Sequence, residues 1–388
     1  LKTHCAELMI RIVADDKIPF LKGALEGRAE VRYLPGGQIS RADLAGADAL
    51  ITRTRTRCDR KLLEGSGISL IASATIGYDH IDTTYCEKAG IGWTNAPGCN
   101  SSSVQQYLVS ALLWLSLQRG LELKNMTLGV IGVGHVGSKV STAAEALGMK
   151  VLLNDPPRAR QEGPEGFSPL EQLLEEAHVL SLHVPLNRGG EDNTFHLVNR
   201  DFIAGVRKGM VLVNTSRGPV VDEGALMEGI RQSVFSEVIL DVFEQEPAIN
   251  RDLLEVLTLA TPHIAGYSLD GKANGTAMAV QAVSRYFGLG LDRWSPGDLP
   301  RPETPELHGD ASRVNEQELL WDIYSSTYDI SMDHHRLRTS PDSFELLRGN
   351  YPFRREPPAY AVRLFQDHPE LNELLEKLGF SVLGDYCA

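Results

Sequence analysis

Cysteine is scarce in this chain. There are five in 388 residues (Cys5, Cys58, Cys86, Cys99 and Cys387), an odd number with no C-x-x-C pair. That excludes a disulfide framework and a zinc site, calls for no metal, and fits free thiols in a reducing compartment. Positive charge is in deficit: 38 Lys and Arg against 51 Asp and Glu, a formal net charge of -13. Neither nucleic acid nor an anionic membrane surface is an expected partner. Long apolar runs are also missing. The longest, YLVSALLWLSL at 107–117, contains two serines and is too short to span a bilayer. The opening LKTHCAEL has no apolar signal core. Met9, directly before the strand-like IRIV, reads as the natural start, and the cytoplasm is the expected location. Internal repeats and low-complexity tracts are absent.

What is present is an ordinary globular composition, 42% hydrophobic and 23% charged, with length for two or three domains. IRIVADD (10–16), VRYLPGG (31–37), ADALITRT (47–54) and SLIASATIGYDHID (69–82) read as strands with helix-like segments between them. Such alternation predicts a parallel α/β sheet, whose ligands bind beyond the carboxyl ends of the strands. Residues 101–119 predict one long helix, capped by serine and stopped by Gly120. Six more short β-branched runs follow, from TLGVIGVGHVG to LTLATPHIAG, the strand count of a dinucleotide-binding domain. RWSPGDLPRPETPELHGD (293–310) reads as a linker, and the tail beyond it as mixed α and β.

Gly132-Val133-Gly134-His135-Val136-Gly137 is a G-x-G-x-x-G placed after a strand and before a helix, the context that gives the pattern meaning. The glycines allow a tight turn and close approach of backbone to a pyrophosphate, and the helix N-terminus attracts its charge. Asp155 ends the next strand, 18 residues past Gly137. An acid there accepts the ribose hydroxyls and repels a 2′-phosphate, which favours NAD over NADP; Arg158 and Arg160 nearby leave NADP open.

Arg217, Glu246 and His263 stand at the ends of successive later strands. Alone, a histidine after proline is more often a satisfied loop residue, and an arginine in S-R-G a surface turn. Together, downstream of a dinucleotide fingerprint, they match the needs of 2-hydroxy acid oxidation. A guanidinium holds the carboxylate, an imidazole takes the hydroxyl proton, and a carboxylate orients the imidazole. Asp241 either contacts the nicotinamide amide or caps the loop.

ITRTRTRCDR (51–60) concentrates four arginines in an acidic protein. The stretch is either a solvated strand edge or an anion site. Strand alternation would put Arg53, Arg55 and Arg57 on one face, with Arg60 on the surface.

GVGHVG, NTSRGPVVDEGAL, DVFEQEP and TPHIAGYS resemble the signatures of the D-2-hydroxyacid dehydrogenases. ATIGYDHID, NAPGCNSSSVQQY, NDPPR, HIAGYSLDGKANGT and the tail with LRGNYPFRRE are similar to the branch of that superfamily acting on 4-phospho-D-erythronate. The resemblance covers residues 10–388, more weakly in the tail. It implies two Rossmann-like doubly wound parallel-sheet domains with a cleft between them, plus a small α+β C-terminal dimerisation domain. The boundaries would be 10–99 completed by 267–292 for a flavodoxin-like substrate domain, 100–266 for the NAD domain and 297–388 for dimerisation. By position it implies catalysis by Arg217, Glu246 and His263. It implies NAD contacts from the glycine turn with His135 and Val136, and from Asp155, Asp241 and Gly266. It implies substrate contacts from Thr54, Thr75 and Tyr267. Arg53 and Arg55 are then the candidates for the substrate phosphate, with Arg348, Arg354 and Arg355 of the tail as further cations, supplied by either subunit of a homodimer. Thr54 stands where a serine is common, Val184 where a threonine is common and Ser216 where a cysteine is frequent. The loop at Asp15-Asp16-Lys17 departs from the family pattern and its role is open. The alternatives are a dehydrogenase of another hydroxy acid, such as 3-phosphoglycerate, and an NADH-sensing binding module.

Overall fold

The structure, a computed structural model, describes residues 9–312, 315–366 and 368–384. Cys5 and Cys387 therefore lie outside the described residues. Two compact units form. One comprises the residues up to Asn100 with Ser268–Pro300; the other comprises Ser101–Tyr267 with the residues from Arg301 onward.

In the first unit, strands β1 (Ile10–Asp15), β2 (Ala29–Leu34), β3 (Ala49–Thr52), β4 (Leu70–Ser73) and β5 (Gly92–Thr94) form a parallel sheet of order β2-β1-β3-β4-β5. That is the flavodoxin-like order, with winding reversed at β1. The central strands are apolar on both faces, as burial between two layers requires. Ile12, Ala14, Ile51 and Ala72 pack under Ala279, Val280 and Val283 of the long helix Leu269–Phe287. A Cβ at Gly275 would overlap the Ala74 carbonyl, so glycine is what lets this helix lie so close.

Two expectations for this unit are corrected. The segment between β1 and β2 is a series of turns, not a helix. Pro19 interrupts it, and Gly23 and Gly27 take φ of +87° and +92°, values that end helices. Strand β3 stops at Thr52. The alternation argument for Arg53, Arg55 and Arg57 therefore does not apply, because all three lie beyond the strand.

In the second unit, β6 (Thr127–Ile131), β7 (Lys150–Asn154), β8 (Val179–Leu182), β9 (Met210–Asn214), β10 (Phe235–Leu240) and β11 (Leu259–Ala260) form a parallel sheet of order β11-β10-β9-β8-β6-β7. Winding reverses at β6, and the glycine fingerprint follows that strand. The helix Ser101–Arg119 spans the range the sequence predicts and buries residues on every side, Tyr107, Leu108, Leu112 and Leu115 among them.

The tail carries a third parallel sheet, β12 (Glu306–Gly309), β13 (Ala361–Leu364) and β14 (Ser381–Leu383). Its first strand uses the end of the segment read as linker. Leu319, Leu320, Ile323 and Tyr324 share one core with Tyr107, Leu108 and Leu112. Buried polar groups lock the join. Gln106 donates to Thr327 Oγ1 and to the Arg355 carbonyl (both 3.1 Å), and the Ser110 hydroxyl donates to the Tyr328 carbonyl (2.9 Å). No helix among the described residues is long and apolar enough to cross a membrane.

Candidate active site

The turn after β6 is shaped by what its glycines exclude. Gly132 has φ +89°, and a Cβ there would sit 2.8 Å from the backbone of His183. A Cβ on Gly137 would overlap the Gly132 carbonyl. Gly134 faces open space, where a Cβ would meet nothing within 4 Å. It caps the helix His135–Ala146, whose exposed first amides can receive an anion. Asp155 lies against this turn: its Oδ2 accepts from the Val133 amide (2.8 Å) and its Oδ1 from the Arg158 amide (3.1 Å). A carboxylate has about four acceptor sites, so capacity remains for ribose hydroxyls. Arg158 is paired with Glu162 (2.7 Å) and Arg160 with Asp192 (2.6 Å). Arg158 also donates to the Val133 carbonyl of the turn (2.6 Å), so both cations near the acid already have partners.

The second cluster grows from three neighbouring strand ends. Asn214, Leu240 and Ala260 stand side by side in register, so the loops that follow start in one row. The Asn214 side chain moulds the first loop. Its Oδ1 accepts from the Ser216 amide (3.0 Å) and hydroxyl (2.7 Å), and its Nδ2 donates to the Arg217 carbonyl (3.0 Å). Arg217 is half-buried there. Gly218 touches the next loop so closely that a Cβ would overlap the Phe243 carbonyl.

Glu246, on that next loop, accepts the Phe243 amide on Oε1 (3.0 Å) and lies 2.7 Å from His263 Nδ1 through Oε2. Pairing by Nδ1–H leaves the other imidazole nitrogen, Nε2, as the lone pair available to a substrate. Burial would push the Glu246 carboxyl up. The hydrogen bond and charge of His263, the Phe243 amide and nearby Arg348 outweigh it and hold the group below the ordinary carboxylate range. His263 itself has φ +57°, a left-handed conformation that costs a non-glycine residue energy and persists only where its surroundings enforce it.

The enforcement comes from below. Asp241 is buried and accepts the Ile264 amide (2.7 Å) and Thr261 hydroxyl (2.6 Å) on Oδ1, and the Ala265 amide (2.9 Å) on Oδ2. Of its two sequence-level roles, capping the histidine loop is the one these contacts fill. Burial pushes the Asp241 carboxyl up to about 6, against the opposing pull of His263, Thr261 and the loop amides. Arg354 of the tail is likewise buried and donates to the carbonyls of Ile264 (3.3 Å) and Ala265 (2.6 Å). It braces the loop in cis and is not exposed for a substrate phosphate, as the sequence reading allowed. Tyr267 and half-buried Gly266 complete the loop, and the Tyr267 hydroxyl accepts from Arg348 Nε at 2.9 Å.

On the first unit, the turn after β3 holds the arginines. Arg53 Nε pairs with Asp15, a fully buried carboxylate at the end of β1, at 2.9 Å. Within the loop at 15–17, Asp15 thus holds the Arg53 side chain by its Nε. Thr54 and Arg55 are exposed beside it. Arg57 pairs with Asp59 (3.3 Å) and Arg60 with Glu64 (2.7 Å), both far out in solvent. Thr75, after β4, lies 2.9 Å from the Ser73 hydroxyl and donates to the Gly77 carbonyl (3.1 Å). Asp15, noted only within the loop at 15–17, Asn214 and the brace by Arg354 fill roles that the sequence does not assign. A buried acid in a sheet-end loop is a signal for the first; the others have none.

Comparison with known proteins decides the family. Residues 104–265 match the family described as D-isomer specific 2-hydroxyacid dehydrogenase, NAD binding domain, and residues 299–379 match a domain of unknown function, DUF3410. The chain is 46% identical over 355 residues to the erythronate-4-phosphate dehydrogenase of Bacteroides fragilis, covering 91% of this chain and 99% of that one. The chain belongs to the erythronate-4-phosphate dehydrogenase family. The enzyme of that name from Pseudomonas putida strain F1 is 41% identical over 379 residues, covering 95% and 98%. Among solved structures, the D-lactate dehydrogenase of Aquifex aeolicus, complexed with NAD and lactic acid, matches with a TM-score of 0.61 at 29% identity, covering 73% of this chain and 96% of that one. The NAD-bound 3-phosphoglycerate dehydrogenase of Entamoeba histolytica matches with a TM-score of 0.62 at 25% identity, covering 75% and 100%. This member of the family is an NAD-dependent dehydrogenase. The cradle fits the cofactor: two glycines sit where any side chain would collide, a third faces open space at a helix N-terminus, and an acid stands at the turn.

Proposed function

We propose that the protein oxidises 4-phospho-D-erythronate to 3-hydroxy-2-oxo-4-phosphooxybutanoate, a step towards pyridoxal 5′-phosphate. The observation that carries the chemistry is the 2.7 Å Glu246–His263 pair, set on the same sheet edge as Arg217 and the glycine cradle. The names of the relatives support the substrate. Arg217 binds the C1 carboxylate and polarises the C2 oxygen. His263 Nε2 takes the proton of the C2 hydroxyl, and Glu246 stabilises the imidazolium that results. NAD, when bound, accepts the hydride from C2. The turn at Gly132–Gly137 with His135 and Val136, together with Asp155 and Gly266, holds the cofactor, while Asp241 holds the histidine loop. Thr54, Thr75 and Tyr267 contact the substrate, and Arg53 and Arg55 take its phosphate. The protein works in the cytoplasm as a homodimer. Met332, Leu346, Phe353 and Phe365, all exposed on the tail, support an interface there.

The test is NADH formation with 4-phosphoerythronate, erythronate and 3-phosphoglycerate in parallel, with a 2-oxo acid added in a coupled arm to catch retained NADH. Strong preference for 4-phosphoerythronate is the expected result. Equal turnover of erythronate would remove the phosphate role of Arg53 and Arg55. Preference for 3-phosphoglycerate would change the substrate, and no turnover in any arm would point to a sensor of NADH. Sedimentation of the full chain checks the dimer.

A further inference from the structure

Arg348 stands on the short helix Phe344–Gly349 of the tail, its side chain only 16% exposed. Its Nε donates to the Tyr267 hydroxyl at 2.9 Å. Its Nη1 lies 3.9 Å from Glu246 Oε2, the same oxygen that meets His263 Nδ1 at 2.7 Å. At 3.9 Å the guanidinium makes no hydrogen bond to that oxygen, so the bond to the imidazole is undisturbed, but the charge is felt. We propose that Arg348 is a positioning residue for the reaction: it shares the Glu246 carboxylate with His263, limits how strongly that carboxylate stabilises a protonated imidazole, and aims the Tyr267 hydroxyl. The inference rests on the reading of His263 as the acid–base group.

The charge balance around the pair makes the role specific. Asp241 acts on His263 from beneath its loop, and Glu223, from the helix Glu223–Arg231, faces Glu246. Glu345, on Arg348's own helix, lies 3.7 Å from Nη1. Arg217 belongs to the adjoining loop and is unchanged in every variant below. Apart from Arg217, these neighbours of the pair are carboxylates. Arg348 supplies the opposing charge from a segment more than eighty residues downstream of His263.

The experiment compares wild type, Arg348→Gln and Arg348→Lys in the full-length enzyme, by the pH profile of kcat/KM for oxidation. It also follows an NMR titration of the His263 ring in the protein without added cofactor, with the resonance identified by its loss in His263→Gln. Loss of the cation in R348Q is expected to move the acidic limb and the His263 midpoint upward by about half a unit to one unit. R348K, which keeps charge but not the planar fork, is expected to hold the midpoint near wild type while KM rises severalfold. An unmoved midpoint in R348Q overturns the proposal, as does an equal shift in R348K. If R348Q does not fold, R348K alone decides, because a raised midpoint there contradicts the charge argument and an unmoved one with raised KM supports it. The titration separates the two readings. A shifted midpoint in an enzyme without turnover upholds the shared carboxylate and removes the proposed reaction; normal turnover with an unmoved midpoint removes Arg348's role alone.

Discussion

The two units end their sheets in different ways. After β3, the turn carrying Arg53, Thr54 and Arg55 is largely solvent-facing, held by the Arg53–Asp15 pair and by the buried Thr56 hydroxyl, which donates to the Gly36 carbonyl. After β10 and β11, the loops carrying Glu246 and His263 are pinned from below by Asp241, from the tail by Arg354 and from the side by Gly218. The difference follows from the tasks proposed for them. A proton must pass between atoms held within hydrogen-bond reach, which a cross-braced loop provides. A phosphate is a large anion that arginine can meet from several angles, so its site needs less exact positioning. Damage to the braced loops should therefore appear in kcat, and damage to the arginine turn in KM.

The largest effect should come from His263→Asn. Loss of a general base lowers kcat by about 10² to 10⁴, and calorimetry should find NAD affinity within about threefold of wild type. Next, Arg53→Ala should raise KM for the phosphorylated acid roughly ten- to a hundredfold, the usual range for a lost charged hydrogen bond. It should leave kcat within a few-fold and spare any residual turnover of erythronate. A kcat loss as large as that of H263N would break the comparison. Glu246→Gln sharpens it through stability. The folded-state pKa of Glu246 is depressed, so its contribution is present above the unfolded value near about 4.3 and disappears as pH falls through the folded value. The variant should show a flatter acid limb in urea melts, with the gap to wild type closing at low pH. The smallest effect belongs to Arg60→Ala. Its exposed pair with Glu64 is a solvated surface contact, and both KM and the melting temperature should stay within error of wild type.

Features resting on neighbours in sequence were readable from the sequence. The glycine turn, the long helix at 101–119 and the six strand ends that carry Asp155, Arg217 and His263 all follow from short-range patterns. The errors arose where a local rule was carried past its range. A period of two does not reach Arg53–Arg57, because β3 ends at Thr52. Between β1 and β2 the spacing suggests a helix, but Pro19, Gly23 and Gly27 favour turns. The contacts of Arg348 and Arg354 could not be read at all. They join residues 81 and 89 positions apart, and nothing in LRGNYPFRRE distinguishes an arginine that braces a distant loop from one that meets a ligand. Sequence leaves Asp241 with two roles for the same reason: a choice between loop amides and cofactor depends on where a carboxylate's neighbours come to rest.

The order of synthesis gives the Arg354 brace a further meaning. A ribosome makes the loop carbonyls of Ile264 and Ala265 some 90 residues before it makes the guanidinium that holds them. At about 5–20 residues per second, the interval is roughly 5 to 20 seconds. During that time the histidine loop lacks the residue that braces it. A product terminated before Arg354 would therefore lack the residue that finishes the acid–base loop.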